Sequence, residues 1–120
     1  MAGQVGHGRR FARRALEDWG WAVSDPQADD ILLVVSELIA NACLHGGGPR
    51  ELVLTVRSER LRVEVLDREP TLPRTRPSQL TGAPGGHGLH IVQRLSQHWG
   101  SVAHHDGKTV WAEFGLGPTR

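Results

Sequence analysis

Glu37 and Asn41 stand four residues apart in SELIANACLHGG, Asp67 closes VEVLD, and Gly85, Gly86 and Gly88 fall within GGHGLHIVQ. A carboxylate and an amide one helical turn apart, a second carboxylate and a glycine cluster are the parts needed to hold a metal-chelated nucleotide. Asn offers a neutral oxygen to a hard cation such as Mg²⁺, which keeps several waters and bridges to phosphates. Glu can orient or deprotonate a nucleophile. Glycines ahead of a helix let backbone N–H groups approach phosphate oxygens, where the positive end of the helix assists. Each such dipole contact contributes about 0.3–1 kcal/mol when exposed, whereas micromolar affinity requires roughly −8 kcal/mol. A metal and a base pocket must supply the difference.

Each piece has a plainer reading by itself. The Glu/Asn pair reads as a wet helix face, Asp67 as the start of a turn, and GGHG as a hinge. Their neighbours favour the chemical reading. Leu33 and Leu44 flank the pair on a mostly apolar helix, which directs it into a cleft, and His45 continues the stripe. Asp67 extends the alternating series Leu61, Val63, Val65, so its carboxylate points toward the core and must find donors there. Left unpaired, it would cost several kcal/mol on the order given for buried ions. The exocyclic amino group of adenine is one such donor. Two commoner motifs do not fit: GAPGGHGLH lacks the dinucleotide spacing, and Gly107-Lys108-Thr109 has Val102 where a Walker-type loop needs glycine.

The elements that must position these groups follow from periodicity. Phe11, Ala12, Ala15, Leu16 and Trp19 recur at helical spacing and Gly20 stops the first helix. Ser24 or Asp25 caps a second helix with Pro26 at its first position, running to about His45 before Gly46, Gly47 and Gly48. ELVLTVRSE and RLRVEVLD alternate around a very short connection, which predicts an antiparallel hairpin, with Leu52, Leu54 and Val56 sharing one side. A Pro/Thr/Arg-rich loop without period covers 68–84, and a loop of that length in a small domain is functional or mobile. Leu89, Val92, Leu95 and Trp99 mark one face of a third helix, and SVAHHD with KTVWAEFGL forms a closing strand pair around Asp106 and Gly107. Strand runs set apart from helices predict an α+β fold, a two-layer sandwich whose mixed, mostly antiparallel sheet carries three helices on one face.

At 120 residues the chain reads as a single domain over 1–120. A domain this small buries a limited share of its surface, so a homodimer or another partner is expected. With a net charge of +1 there is no domain-wide basic footprint; Arg9, Arg10, Arg13 and Arg14 read as a solvated helix face, and no direct nucleic-acid contact is expected. The lone Cys43 excludes an internal disulfide. His45, His87, His90, His98, His104 and His105 form no closed ligand set with it, and read as surface or packing residues. Trp99 and Trp111 read as core or cleft-edge aromatics. No run approaches the ~20 apolar residues of a membrane span and no secretory segment opens the chain, so a cytoplasmic protein without a membrane anchor is expected.

Taken in order, these motifs resemble the GHKL (Bergerat-fold) ATPases, and among them the small anti-sigma-factor serine/threonine kinases and related ATP-binding regulators of Gram-positive bacteria. SELIANACLHGG is similar to the Glu/Asn helix of that family, VEVLDREP to its adenine-Asp strand end, GGHGLHIVQRLSQHWG to its phosphate-binding glycines and following helix, and GKTVWAEF to its last strand. The resemblance implies ATP and Mg²⁺ as cofactors, with Asn41 as magnesium ligand, Glu37 as general base and Asp67 on the adenine amino group. It further implies Gly85, Gly86, Gly88 and Leu89 at the phosphates and Thr109 at the adenine end. The implied partners are an anti-anti-sigma (STAS-type) protein, which would receive phosphate on Ser or Thr, and a sigma factor; a non-catalytic ATP-binding module is the alternative. A sensor-kinase ATPase fragment is disfavoured, because no phosphoacceptor-His helix pair precedes these motifs.

The chain departs from the family pattern in three places. Arg68-Glu69-Pro70 follows the Asp where relatives carry a glycine-containing run, which alters the adenine pocket and lid. Helix one comes almost at once where relatives begin with a strand, which leaves a sheet edge open to a partner. The 68–84 loop brings Arg74 and Arg76, as phosphate contacts or as solvated residues.

Overall fold

The computed structural model describes residues 2–20, 26–70 and 86–115. Its elements run α1 (Ala2–Asp18), α2 (Pro26–His45), β1 (Pro49–Arg57), β2 (Arg60–Asp67), α3 (Gly86–Leu95), β3 (His98–Ala103) and β4 (Lys108–Gly115). The four strands form one sheet in the order β1-β2-β4-β3, every neighbouring pair antiparallel. Three helices pack on one face of it, giving the expected α+β sandwich, with β1 and β3 as the sheet's edges among the described residues. None of the described helices is long and apolar enough to cross a membrane.

The strand alternation decides which side of the sheet is dry. Leu61, Val63, Val65 and Asp67 of β2 are buried in register with Phe114, Ala112, Val110 and Lys108 of β4, all on the helix-facing side. α2 lies in the middle of the helical layer, with α1 along one flank, α3 along the other and the sheet beneath. Three covered sides explain why it is so apolar: ten of its residues are buried, including Ile31, Leu38 and Ile39. A helix with a single open side needs only a narrow polar stripe.

Two expectations are corrected in detail. Phe11 does not belong to the inner face of α1; it is 52% exposed, while Ala12 and Leu16 are buried and Val5 packs beside them. Helical geometry explains this, since residues 5, 12 and 16 lie along one stripe and residue 11 sits a further 100° round the axis. Trp99 is not on the third helix. α3 ends at Leu95, and Trp99 enters β3 and reaches the same core from the sheet, opposite Ala112. Spacing by four mimics one helical turn when the chain changes direction between two positions. Arg9, Arg10, Arg13 and Arg14 are all exposed.

The β1–β2 hairpin closes on Ser58 and Glu59, with φ of 50° and 61°. Two left-handed residues in a two-residue connection match the right-handed twist of the strands, although neither residue is the Asn or Gly that adopts this conformation cheaply.

Candidate nucleotide site

α2 carries the first two candidate residues on different sides of its axis. Cys43 faces α1, where its thiol donates to Gln4 Oε1 at 3.1 Å. Asn41 lies about 200° from Cys43 at 3.6 residues per turn, so it leans toward the opposite flank, along which α3 packs. Its side chain is 3% exposed, and its Nδ2 has no hydrogen-bond partner among the described residues. Buried amides in folded proteins are nearly always satisfied, so an orphaned one marks a place where something else binds. The two ends of an amide interchange by a flip, and the open position can therefore present oxygen as well as nitrogen. That fits a magnesium ligand. Glu37, one turn earlier, is half-buried on the open stripe between the exposed Leu33 and Leu44.

The end of α2 is tied to the backbone just after Asp67. Arg68 N donates to Gly46 O at 2.9 Å, and a Cβ on Gly46 would stand 2.5 Å from Asp67 Oδ2. Only glycine permits that approach. On the other side Gly107 closes on the backbone carbonyl of Asp67 so tightly that any side chain there would overlap it. α3, whose first turn holds Gly86 and Gly88, runs beside α2, and its Leu89 is buried in the common core. Gly85, Arg74, Arg76 and most of the 68–84 loop, like the Ser24 and Asp25 caps, lie outside the described residues.

Lys108 is the residue that sequence reasoning missed. It pairs with Asp67 in register and donates from Nζ to Asp67 Oδ2 at 2.8 Å and to the Glu69 carbonyl at 3.3 Å. The other carboxylate oxygen, Oδ1, accepts from Glu69 N at 2.9 Å. Asp67 and Lys108 are each 2% exposed. The core thus answers the buried carboxylate with a charge of its own. Alternation held the signal, because Lys108 belongs to the same even series as Val110, Ala112 and Phe114 and is the only lysine in the chain.

Thr109 points the other way. It is opposite Leu66 on the face without helices, and its Oγ1 lies 2.8 Å from His104 Nε2. The structure therefore brings Lys108, and not Thr109, to the side chain of Asp67. At this end of the sheet a cavity of about 580 Å³ is lined by Asp67, Lys108, Glu51, Asp106 and His104 among others, but by neither Glu37 nor Asn41. Arg50 spans its rim to Asp106 at 3.2 Å, and that hydrogen bond holds the Asp106 carboxyl below its ordinary range. No group of three or more His, Cys, Asp or Glu among the described residues is close enough to hold a metal without help from a ligand.

A family model for the histidine kinase-like ATPase domain matches residues 2–114. Two solved structures of a blue-light activated histidine kinase from Erythrobacter litoralis are similar. The histidine kinase domain is 28% identical with a TM-score of 0.54, over 75% of this chain and 45% of that one. A second structure of the same kinase is 23% identical with a TM-score of 0.59, over 94% of this chain and 42% of that one, and supports the fold alone. The chain spans less than half the length of either, and no curated protein sequence matches it. With nearly its whole length matched, and with its Glu/Asn helix, its strand-end Asp and its glycine-led third helix in the order described above, the chain belongs to the histidine kinase-like ATPase domain family.

Proposed function

We propose that the chain binds Mg-ATP and acts as a serine/threonine kinase of the anti-sigma type, moving the γ-phosphate to a Ser or Thr of an anti-anti-sigma (STAS-type) partner. In its unswitched state it would sequester a sigma factor. The observation that carries the nucleotide reading is the buried Asn41 amide with an orphaned Nδ2, on a helix whose end is hydrogen-bonded to Arg68, the residue after Asp67. Family membership supports ATP as the nucleotide. In this reading Asn41 holds Mg²⁺, which would neutralise phosphate charge when bound. Glu37, half-buried one turn away, takes the acceptor hydroxyl's proton. Gly86 and Gly88 offer backbone N–H groups at the start of α3, together with the helix's positive end. Transfer of this kind depends on positioning and electrostatics more than on covalent chemistry by the protein.

A non-catalytic ATP-binding module, whose nucleotide state sets its choice of partner, is favoured by one observation: the base-reading carboxylate is already paired with Lys108. The kinship with histidine kinases supports a third acceptor, a histidine. Labelled Mg-ATP with a STAS-type protein separates the three. Acid-stable label on the partner's Ser or Thr supports the proposal, acid-labile label on histidine supports the third reading, and binding without transfer supports the module. Glu37→Ala should keep nucleotide binding and lose at least a hundredfold in transfer rate, in line with the usual contribution of a general base. Transfer at the parent rate would remove Glu37 from that role.

A further inference from the structure

The carboxylate assigned to the base is not free to read one. Asp67 Oδ2 is occupied by Lys108 Nζ at 2.8 Å, Oδ1 by Glu69 N at 2.9 Å, and Gly46 closes in on the carboxylate while Gly107 packs on the Asp67 backbone. A carboxylate has lone pairs to spare after two hydrogen bonds, but with the residue 2% exposed no incoming amino group can reach them. Resting on the nucleotide reading above, we infer that Lys108 is a displaceable internal ligand of Asp67: its ammonium stands in for the base's amino group, and purine entry and Lys108 release are one event.

An ammonium and an exocyclic amino group both donate N–H to the same oxygen, so the pocket keeps its hydrogen bond in both states; the amino group is neutral, so the charge of Lys108 is not replaced, and that difference opposes purine entry. Lysine suits this role better than arginine, being a compact point charge on a flexible stem, where a guanidinium would lock onto the carboxylate in a two-pronged pair. In a chain that otherwise draws all its basic side chains from arginine and histidine, the single lysine falls here. Lys108 and Asp67 border the 580 Å³ cavity together with Glu51 and with Asp106, which Arg50 holds at 3.2 Å. Such an exchange makes affinity depend on the difference between two partners of Asp67, which weakens apparent binding and holds the empty protein together.

The lone lysine makes the test direct, since an amine-reactive reagent can modify only Lys108 and the chain's amino terminus. Brief acetic anhydride labelling of the intact protein, read by mass spectrometry of the Lys108 peptide, should be slow without nucleotide and at least tenfold faster with saturating Mg-ATP. Labelling that stays slow while calorimetry shows ATP bound would overturn the inference and leave the nucleotide reading standing. Absence of ATP binding by the folded protein would overturn both. Lys108→Met adds a second readout: it should bind Mg-ATP about tenfold more tightly than the parent, and equal or weaker binding would contradict the exchange. If that variant does not fold, the labelling of the parent chain decides.

Discussion

Two of the charge clusters among the described residues, built from the same kinds of side chain, lie on opposite faces of one sheet. On the helix-facing side Asp67 and Lys108 meet at 2.8 Å in a site closed to solvent. On the far side Arg62 reaches Glu113 at 2.7 Å and Glu64 at 3.2 Å, with its guanidinium carbon 4.2 Å from the centre of the Trp111 ring. The distances are alike, yet the surroundings are not. Arg62 and its acids remain about a quarter to a third exposed, so water can replace any partner that is lost, and such pairs contribute little. At Asp67 the pair is buried away from bulk water. Removing one partner there leaves an ion in a dry interior, which is far more costly than the pair's net worth. A cluster of the first kind decorates a surface; one of the second kind stores a large conditional energy that a ligand can take over.

Breaking the pairs separately tests that contrast. Lys108→Met should destabilise the protein by about 3–5 kcal/mol in urea unfolding, and Asp67→Asn by a similar amount, because each leaves its partner buried and uncompensated. The double variant Asp67→Asn/Lys108→Met should recover most of that loss. Additive losses would show that the two sites are not coupled and that the buried pair is no unit.

A smaller effect sharpens the measurement. The Ser58-Glu59 turn lies at the far end of β2 from Asp67 and holds two non-glycine residues at positive φ. Replacing it with Asn-Gly should stabilise the fold by about 1 kcal/mol, since these residues adopt the turn with less strain. The gain should appear equally in the parent and in the Asp67 variants, giving a background in which the weakest of them can be studied. A gain that depended on Asp67 would mean that strain is transmitted along β2.

The smallest effect belongs to the exposed cluster. Arg62→Ala should cost about 1 kcal/mol or less, counting both its ion pairs and its stacking on Trp111. A loss as large as that of Lys108→Met would erase the distinction between the two faces.

Much of this arrangement was legible in the chain. The odd series Leu61, Val63, Val65, Asp67 by itself places a carboxylate in the core, because the pleat allows no other assignment when one face is dry. The Glu37–Asn41 spacing put both groups within one turn of a helix. What escaped was pairing between distant elements. That Lys108 would answer Asp67 depends on β4 lying beside β2 in one register, and nothing local encodes it. Thr109 was drawn to the adenine end by family pattern, while the parity of its strand sends it to the other face, toward His104. Trp99 misled for a related reason: its spacing continues the stripe of α3, but the chain has already left the helix.

The central claim is that the buried amide of Asn41, on the α3-facing flank of α2, is half of a magnesium–nucleotide site. Titration calorimetry of the folded protein with ATP, with and without Mg²⁺, in the parent and in Asn41→Ala, tests it most directly. The account predicts magnesium-dependent binding in the parent and its loss in Asn41→Ala, with the variant's unfolding curve still cooperative. Equal magnesium-dependent binding in both proteins, or none in a well-folded parent, would contradict it.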